Sequence, residues 1–379
     1  MSLNLNEILQ VAVKNGASDV HLKVGLPPVL RVNGRLVPLK VDYRLQREDL
    51  MAITNMVLSD AQKEKFRDAR ELDVAYSVSG LGRFRTNIFM QRGTLGIALR
   101  VVPGGVLTFE DLNLPEVLEK VAMEARGLIL CTGTTGSGKT TTLASIIEYI
   151  NNHRTCHIIT IEDPIEFLLK DKKSIITQRE VEVDTPSFAA ALKSALRQDP
   201  DVILLGEMRD YETIETALIA AETGHLVLST LHTLDAAETI NRIITVFPPY
   251  QQKQIRLQLS TILKSVISQR LVMRADGEGR VPAVEILLNT ARVREYIEDK
   301  EKTKKIRDAI AEGFVSYGMQ TFDQSLMSLY KSQLISLDEA MRQASNPDDF
   351  ALRVKGVTSS SDLTWDEFER AGGDEEDGL

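Results

Sequence analysis

Cysteine is scarce in this chain of 379 residues, and the two that are present do not form the usual cysteine-based sites. Cys131 and Cys156 stand apart in apolar, strand-like surroundings, which excludes a C-x-x-C metal knuckle and a disulfide framework. Apolar runs of the roughly 18 residues that a membrane span needs are also lacking, as are the basic and apolar segments of a signal peptide. These absences predict a cytoplasmic protein without a transmembrane segment.

Positive charge is also limited, because 54 acidic residues outnumber 45 lysines and arginines and leave a net charge of -9. This balance argues against broad electrostatic capture of nucleic acid, and no stripe of interleaved aromatic and basic residues compensates for it. The composition, 43% hydrophobic and 26% charged, is that of an ordinary globular protein. We therefore expect two or three domains and no nucleic-acid partner.

A glycine-rich stretch at residues 133–141 carries the strongest functional signal. It follows an apolar run, precedes a helical pattern and fits G-x-x-x-x-G-K-[ST], so it is identified as a P-loop rather than an incidental glycine turn. Glycines allow the backbone N–H groups of such a loop to point at a polyphosphate. The predicted nucleotide-binding residues are Gly133, Thr134, Thr135, Gly136, Ser137, Gly138, Lys139, Thr140 and Thr141.

Two side chains of this loop have specific roles in nucleotide chemistry. The Lys139 ammonium would lie against the β- and γ-phosphates, and the Thr140 hydroxyl would bind Mg²⁺. The N-terminus of the following helix adds a favourable dipole end. ATP and Mg²⁺ are therefore the predicted cofactors.

Residues 1–101 are predicted to form an α+β domain with a hairpin at Asn33 and Gly34. Period-two alternation places Arg83 and Arg85 on one face of a strand, and Arg100 follows further along the chain. Such arginines can form the solvated face of a sheet, or they can neutralise transition-state charge in a nucleotide site. The residues alone leave both interpretations open.

Residues 102–114 have the composition of a linker with a helical entry over 107–125, and residues 115–289 alternate strands with helices. Continuous apolar strands of this kind predict an α/β domain with a parallel sheet covered on both faces. Polar motifs follow four of the predicted strands, after Thr132, Ile161, Leu205 and Leu231. Ligands of open α/β sheets bind beyond the carboxyl ends of the strands, so these motifs are expected at one edge.

The residues after these strand ends are the candidate catalytic groups. Glu207 is placed to hold Mg²⁺ through water or to polarise the attacking water. Glu162 and Glu166 are both candidates for the general base, with a slight preference for Glu166. His232 is a candidate donor to the γ-phosphate. For His225, a structural role and a functional role fit equally well.

The remainder of the chain is predicted to be mainly helical. The apolar stripe predicts a helix over 251–269, followed by a hairpin over 274–280 and a last strand over 281–288. Residues 290–355 are predicted to form short helices, and residues 356–379 an acidic, flexible tail.

Taken together, the motifs resemble those of the type IV pilus retraction ATPases of the secretion ATPase superfamily. The resemblance covers most of the chain and depends on the P-loop together with residues 18–21, 82–85, 160–166, 206–210, 224–232 and 316–322. It implies a RecA-like P-loop NTPase core between a PAS-like α+β domain and C-terminal helices. It also implies a homohexamer that closes around ATP, with Arg83, Arg85 and Arg100 as the arginines donated from the first domain.

In this family, ATP hydrolysis would turn a platform protein at the inner membrane and draw pilin subunits out of the pilus. Residues 290–298 match the segment linked to retraction only loosely. Residues 345–361 are more similar to an accessory paralogue, whereas residues 206–210 are more similar to the main motor. An accessory ATPase or a nucleotide-binding adaptor that acts on a partner motor is therefore an alternative. A pilus assembly or secretion ATPase is a further one, although such proteins usually carry a four-cysteine zinc element.

Overall fold

The computed structural model describes residues 4–102 and 104–356, which belong to two compact units. The first unit runs to Gly105 and includes Glu166–Leu168, and the second comprises Val106–Ile165 and the chain from Leu169 onwards. Each unit contains a sheet and helices, which confirms the predicted mixed α/β class. The acidic tail predicted for 356–379 lies outside the described residues except for Gly356.

The first unit is built on an antiparallel sheet. Its described strands number six, in the order β3-β2-β1-β6-β5-β4, and buried Phe84, Ile88 and Leu99 face a core that also receives helix α1. Asn33 and Gly34 both have positive φ, 48° and 78°, as the predicted hairpin turn requires. The elements are α1 Leu5–Lys14, β1 Ala17–Lys23, β2 Val29–Val32, β3 Arg35–Pro38, α2 Arg47–Val57, α3 Asp60–Ala69, β4 Glu71–Val78, β5 Gly82–Gln91 and β6 Thr94–Val101.

The second unit contains a larger sheet. Seven described strands follow the order β13-β12-β7-β11-β10-β8-β9; all neighbours are parallel except β12 and β13. Every residue of β7, β10 and β11 is buried, as expected for strands covered on both faces. The strands are β7 Gly127–Thr132, β8 His157–Glu162, β9 Ile175–Glu180, β10 Val202–Leu205, β11 Leu226–Leu231, β12 Leu263–Met273 and β13 Arg280–Leu288.

Helices flank this sheet and continue beyond it to residue 354. Both cysteines lie among these elements and carry free thiols, and burial raises the pKa of Cys131 to about 12. None of the helices in the described ranges combines the length and apolar character needed to cross a bilayer. The helices are α4 Val117–Ala122, α5 Lys139–His153, α6 Phe188–Ala195, α7 Tyr211–Glu222, α8 Ala236–Val246, α9 Gln252–Ile262, α10 Ala291–Glu298, a 3-10 helix Lys300–Lys305, α11 Ile306–Glu312, α12 Phe314–Tyr317, α13 Phe322–Lys331, α14 Leu337–Gln343 and α15 Pro347–Val354.

The helix predicted over 251–269 is wrong in its second half. Helix α9 ends at Ile262, and the chain continues directly as strand β12, which pairs with β7 on one side and β13 on the other. Val266 and Ile267 are buried in this strand, although their spacing from Leu259 also suits a helix. Sheet pairing on both sides decides between the two periodicities, because it satisfies the backbone along the whole segment.

The helical entry predicted over 107–125 is also mostly wrong, since only Val117–Ala122 is helical. Upstream of that short helix, Thr108 and Asp111 exchange hydrogen bonds between side chain and backbone, with N–O distances of 3.0 and 3.2 Å. Such local pairs give the backbone an alternative to helix formation, so the segment folds as turns.

Arg270 of strand β12 is one of the residues that attach the C-terminal helices to the sheet. The Arg270 guanidinium lies 4.0 Å above the centre of the Phe322 ring at the start of α13. Its Nη1 also donates to the carbonyl oxygen of Gln343, at the end of α14, over 3.1 Å. A strand that the sequence did not predict therefore joins the sheet to the helices that follow it.

Candidate nucleotide-binding site

The P-loop joins strand β7 to helix α5, in the strand–loop–helix context that its motif requires. Gly133, Gly136 and Gly138 have φ values of 140°, 79° and 90°, a region that side-chain-bearing residues rarely adopt. A Cβ atom on Gly133 would lie 2.3 Å from the carbonyl oxygen of Gln269, so glycine is also required sterically there. The backbone of the loop therefore depends on its glycines.

Lys139 begins helix α5 and is mostly buried, with 8% of its surface exposed. Its Nζ donates to the carbonyl oxygens of Gly133 and Thr134, over 2.8 and 3.0 Å, so the ammonium is held against the loop. The buried Ser137 hydroxyl has no hydrogen-bond partner, although the loop around it is rich in polar groups. A lysine charge, an unsatisfied hydroxyl and a helix N-terminus at one loop fit a polyphosphate.

The four polar motifs predicted at strand ends do converge at one edge of the sheet. Strands β7, β11, β10 and β8 are consecutive neighbours, parallel and in continuous register, so the residues that follow them lie side by side. The P-loop follows β7, His232 follows β11, Glu207 follows β10, and Glu162 ends β8.

Glu207 and His232 meet across the gap between two of these strands. Nε2 of His232 lies 3.4 Å from Oε2 of Glu207, and the other carboxylate oxygen pairs with Arg209. The hydroxyl of Thr230 donates to the carbonyl oxygen of Gly206 over 2.6 Å and ties the two strand ends together. A carboxylate and an imidazole are thus positioned together beside the P-loop strand.

Glu162 is a buried carboxylate with polar partners from two strands. Its Oε1 accepts hydrogen bonds from the Thr160 hydroxyl at 2.6 Å and from Nε2 of Gln178 at 3.1 Å. Gln178 lies on β9, a strand absent from the sequence-based prediction. Glu166 is exposed and groups with the first unit, and the choice of general base stays a prediction.

Comparisons with known proteins agree with this geometry. The family model described as "Type II/IV secretion system protein" matches residues 2–316. The chain belongs to this family. Its relatives include the Pseudomonas aeruginosa type IV pilus retraction ATPase PilT, 46% identical over 348 residues, which are 92% of this chain and 100% of PilT. The type IV pilus ATPase PilU of the same organism is 40% identical, covering 95% of this chain and 94% of PilU.

A solved structure of the secretion family has the same fold. The crystal structure of the pilus retraction motor PilT with bound ADP superposes with a TM-score of 0.83 at 47% identity, covering 92% of this chain and 98% of that one. The resemblance drawn from the motifs, and with it the α/β fold of a secretion ATPase, is confirmed.

The arginines of interest in this secretion-family chain lie in the first unit, on a charged row that crosses five strands. In strand order the row is Arg31, Asp19, Arg100 and Arg85, each opposite the next, and it ends at Asp73, which lies diagonally from Arg85 because the direct partner of Arg85 is Ala75. Nε of Arg100 donates to Asp19 over 3.0 Å, and Arg85 is 4.0 Å from Asp73.

Burial opposes ionisation of Asp19, but hydrogen bonds from Ser18 and Arg100 outweigh it and hold the pKa of Asp19 below its usual value. The side chain of Arg100 remains 69% exposed, and pairs at such exposure contribute little to stability. Arg83 lies on β5 two residues before Arg85. The role of these three arginines in a nucleotide site stays a prediction.

His225 lies at the opposite edge of the sheet from His232, because the two residues flank the same strand, β11. Its Nδ1 is 2.9 Å from the carbonyl oxygen of Ala220, and its own carbonyl accepts from the backbone N–H of Gly127. These contacts give His225 the structural role that the sequence analysis had left open.

Sequence analysis missed Gln269, which lies beneath the P-loop on strand β12. The signal that pointed to a strand was the β-branched pair Val266 and Ile267 ahead of it, flanked by serines.

A metal centre made of protein ligands alone is not found in residues 4–102 and 104–356, which contain no cluster of three His, Cys, Asp or Glu side chains.

Proposed function

We propose that this secretion-family protein is an ATPase that powers type IV pilus retraction. The observation that carries the proposal is the edge of the second sheet, where the P-loop with Lys139 lies beside the Glu207 and His232 pair. PilT is named as a retraction ATPase, and this chain spans its full length at 46% identity. Nucleotide binding follows from the same family and from the ADP bound in the PilT crystal.

Within this site, Thr140 would bind Mg²⁺ with its hydroxyl, and Glu207 would hold the ion through water. The positions of both residues support these roles, because Thr140 is half-buried at the start of α5 and Glu207 is held between Arg209 and His232. Bound Mg²⁺ would neutralise charge on the phosphate oxygens. Glu166 or Glu162 would accept the proton of the attacking water.

The working form would be a homohexamer at the cytoplasmic face of the inner membrane, acting on a platform protein of the pilus. Arg83, Arg85 and Arg100 of the first domain would complete a nucleotide site and stabilise its transition-state charge. We assign residues 1–101 to a PAS-like domain, 102–114 to a linker, 115–289 to a RecA-like ATPase domain, and 290–355 to a C-terminal helical region.

An accessory retraction ATPase is the second candidate, and the similarity of residues 345–361 to the accessory paralogue of the family favours it. The type IV pilus ATPase PilU is 40% identical over 95% of this chain. The higher identity to PilT supports the main motor. A paralogous ATPase would be the partner of an accessory protein.

The test compares ATP turnover of the purified chain with that of Lys139→Ala and Glu207→Ala. We expect each substitution to lower turnover by about 100-fold or more, because Lys139 would stabilise phosphate charge in the transition state and Glu207 would hold the Mg²⁺ that does the same. A chain no faster than either variant would contradict the ATPase assignment. A second test expresses the chain in cells that lack their own retraction ATPase and measures pilus retraction. A main motor would restore retraction by itself, whereas an accessory protein would not.

A further inference from the structure

Strand β12 places one side chain beneath the P-loop. Ser268 lies opposite Thr132, the last residue of β7, so Gln269 occupies the first position beyond the paired end of that strand. Gln269 is buried, with 3% of its surface exposed. The P-loop and helix α5, rather than solvent, therefore surround its side chain.

The P-loop approaches Gln269 at both ends. The carbonyl oxygen of Gln269 would lie 2.3 Å from a Cβ atom on Gly133, and its Nε2 would lie 2.7 Å from a Cβ atom on Gly138. Real Cβ atoms do not come this close to other heavy atoms, so both glycines allow the loop to lie directly on Gln269. The first and last glycines of the loop thus lie on the same residue.

The amide of Gln269 also contacts the helix that follows the loop. The Thr142 hydroxyl, in the first turn of α5, donates to Oε1 of Gln269 over 2.7 Å, and this hydrogen bond is buried. One side chain therefore contacts both Gly138 and the helical turn that contains Lys139 and Thr140. These are the loop residues whose backbone and side chains would face the phosphates.

We propose that Gln269 is a positioning residue for nucleotide binding, which acts through Thr142 and Gly138 to hold the P-loop in its binding geometry. A loop that binds phosphate through many N–H groups gains affinity when those groups are already aligned, because less ordering remains to be done on binding. The proposal rests on the nucleotide-binding part of the proposed function and is independent of pilus retraction.

The test is ADP affinity, measured by calorimetry, together with the melting temperature of the nucleotide-free chain. Gln269→Leu keeps most of the side-chain volume without the amide, and Thr142→Val keeps the shape without the hydroxyl. We expect each to weaken ADP binding about tenfold, and the double variant to bind about as weakly as either single one, because both remove the same hydrogen bond. Thr142→Ser retains the hydroxyl and should bind ADP as the unchanged chain does.

Ser268→Ala is the matched control. It breaks the buried hydrogen bond that Thr132 of β7 donates to Ser268 over 3.0 Å, one residue before Gln269 on β12, and it leaves Gln269 and the loop in place. It should lower the melting temperature as much as Thr142→Val does, with less than a twofold change in ADP affinity.

Equal losses of ADP affinity in Ser268→Ala and Thr142→Val would overturn the proposal, as would affinities within twofold of the unchanged chain for both Gln269→Leu and Thr142→Val. The Thr142 variants keep the test decisive if Gln269→Leu does not fold. An unchanged chain that binds no ADP would instead contradict the proposed function, and the positioning role with it.

Discussion

Glu285 is a buried carboxylate that the proposed chemistry does not use. It lies on strand β13 with 5% of its surface exposed and accepts a hydrogen bond from the backbone N–H of Ala236, at the start of α8, over 2.9 Å. Burial is the largest influence and raises its pKa to about 7, against the effect of that hydrogen bond. Asp235 adds to the rise, whereas Arg307 and Arg270 oppose it.

This residue should make stability depend on pH. Between about pH 4.5 and 7 the unfolded chain releases the Glu285 proton while the folded chain keeps it, so stability falls as pH rises through this window and levels off above it. The full effect is about 3 kcal/mol. Glu285→Gln keeps an acceptor for Ala236 and cannot ionise, so it should be more stable than the unchanged chain at pH 8 and similar to it at pH 5, by thermal unfolding. A stability difference that does not vary with pH would contradict this expectation.

Single residues also show how far sequence reasoning reaches. The meeting of Glu207 and His232 was predictable, because each follows a buried strand and parallel strands end at one edge. The partners of Glu162 were only half predictable: Thr160 is two residues away, whereas Gln178 lies on a strand formed by a polar, weakly patterned segment. Hydrogen bonds between residues distant in sequence leave no local pattern.

Among the elements that sequence analysis misassigned, β12 has the largest consequence for the site. Its apolar residues continue the stripe of α9, and a single sequence offers no means to see the two strands that pair with it. The P-loop, by contrast, was predicted residue by residue, because its glycine, lysine and threonine positions follow from the backbone geometry that phosphate demands. The P-loop could be predicted from its local sequence, whereas strand β12 depends on pairing with strands distant in the sequence.

The contact between β12 and the P-loop gives a prediction about the loop glycines. Gly136→Ala should strain a backbone at φ 79° but meets no atom within 4 Å, whereas Gly138→Ala combines a φ of 90° with a contact of 2.7 Å to Gln269. Gly138→Ala should therefore weaken ADP binding about tenfold more than Gly136→Ala, a difference of about 1.4 kcal/mol, because the Gln269 amide that meets the added methyl group is held by the Thr142 hydrogen bond. Calorimetric titration of both variants measures this, and equal affinities would show that the loop does not depend on close packing against β12.

For the whole molecule, the proposed hexamer makes each nucleotide site dependent on its neighbours. When unchanged chains are mixed with Lys139→Ala chains before assembly, ATP turnover should fall more steeply than the fraction of unchanged subunits, because one inactive subunit also impairs adjacent ones. Light scattering should show that the mixtures keep the mass of the unchanged assembly. Turnover strictly proportional to the unchanged fraction would mean that the subunits work independently.

Neighbouring residues of β12 face two ways: Gln269 supports the nucleotide loop, while Arg270 holds Phe322 and the end of α14. A protein shortened before α13 would lose the partners of Arg270 and expose its guanidinium next to Gln269, the residue beneath the P-loop. The C-terminal helices therefore belong to the same structural unit as the nucleotide site. Chimaeras that exchange the C-terminal region should be joined upstream of β12.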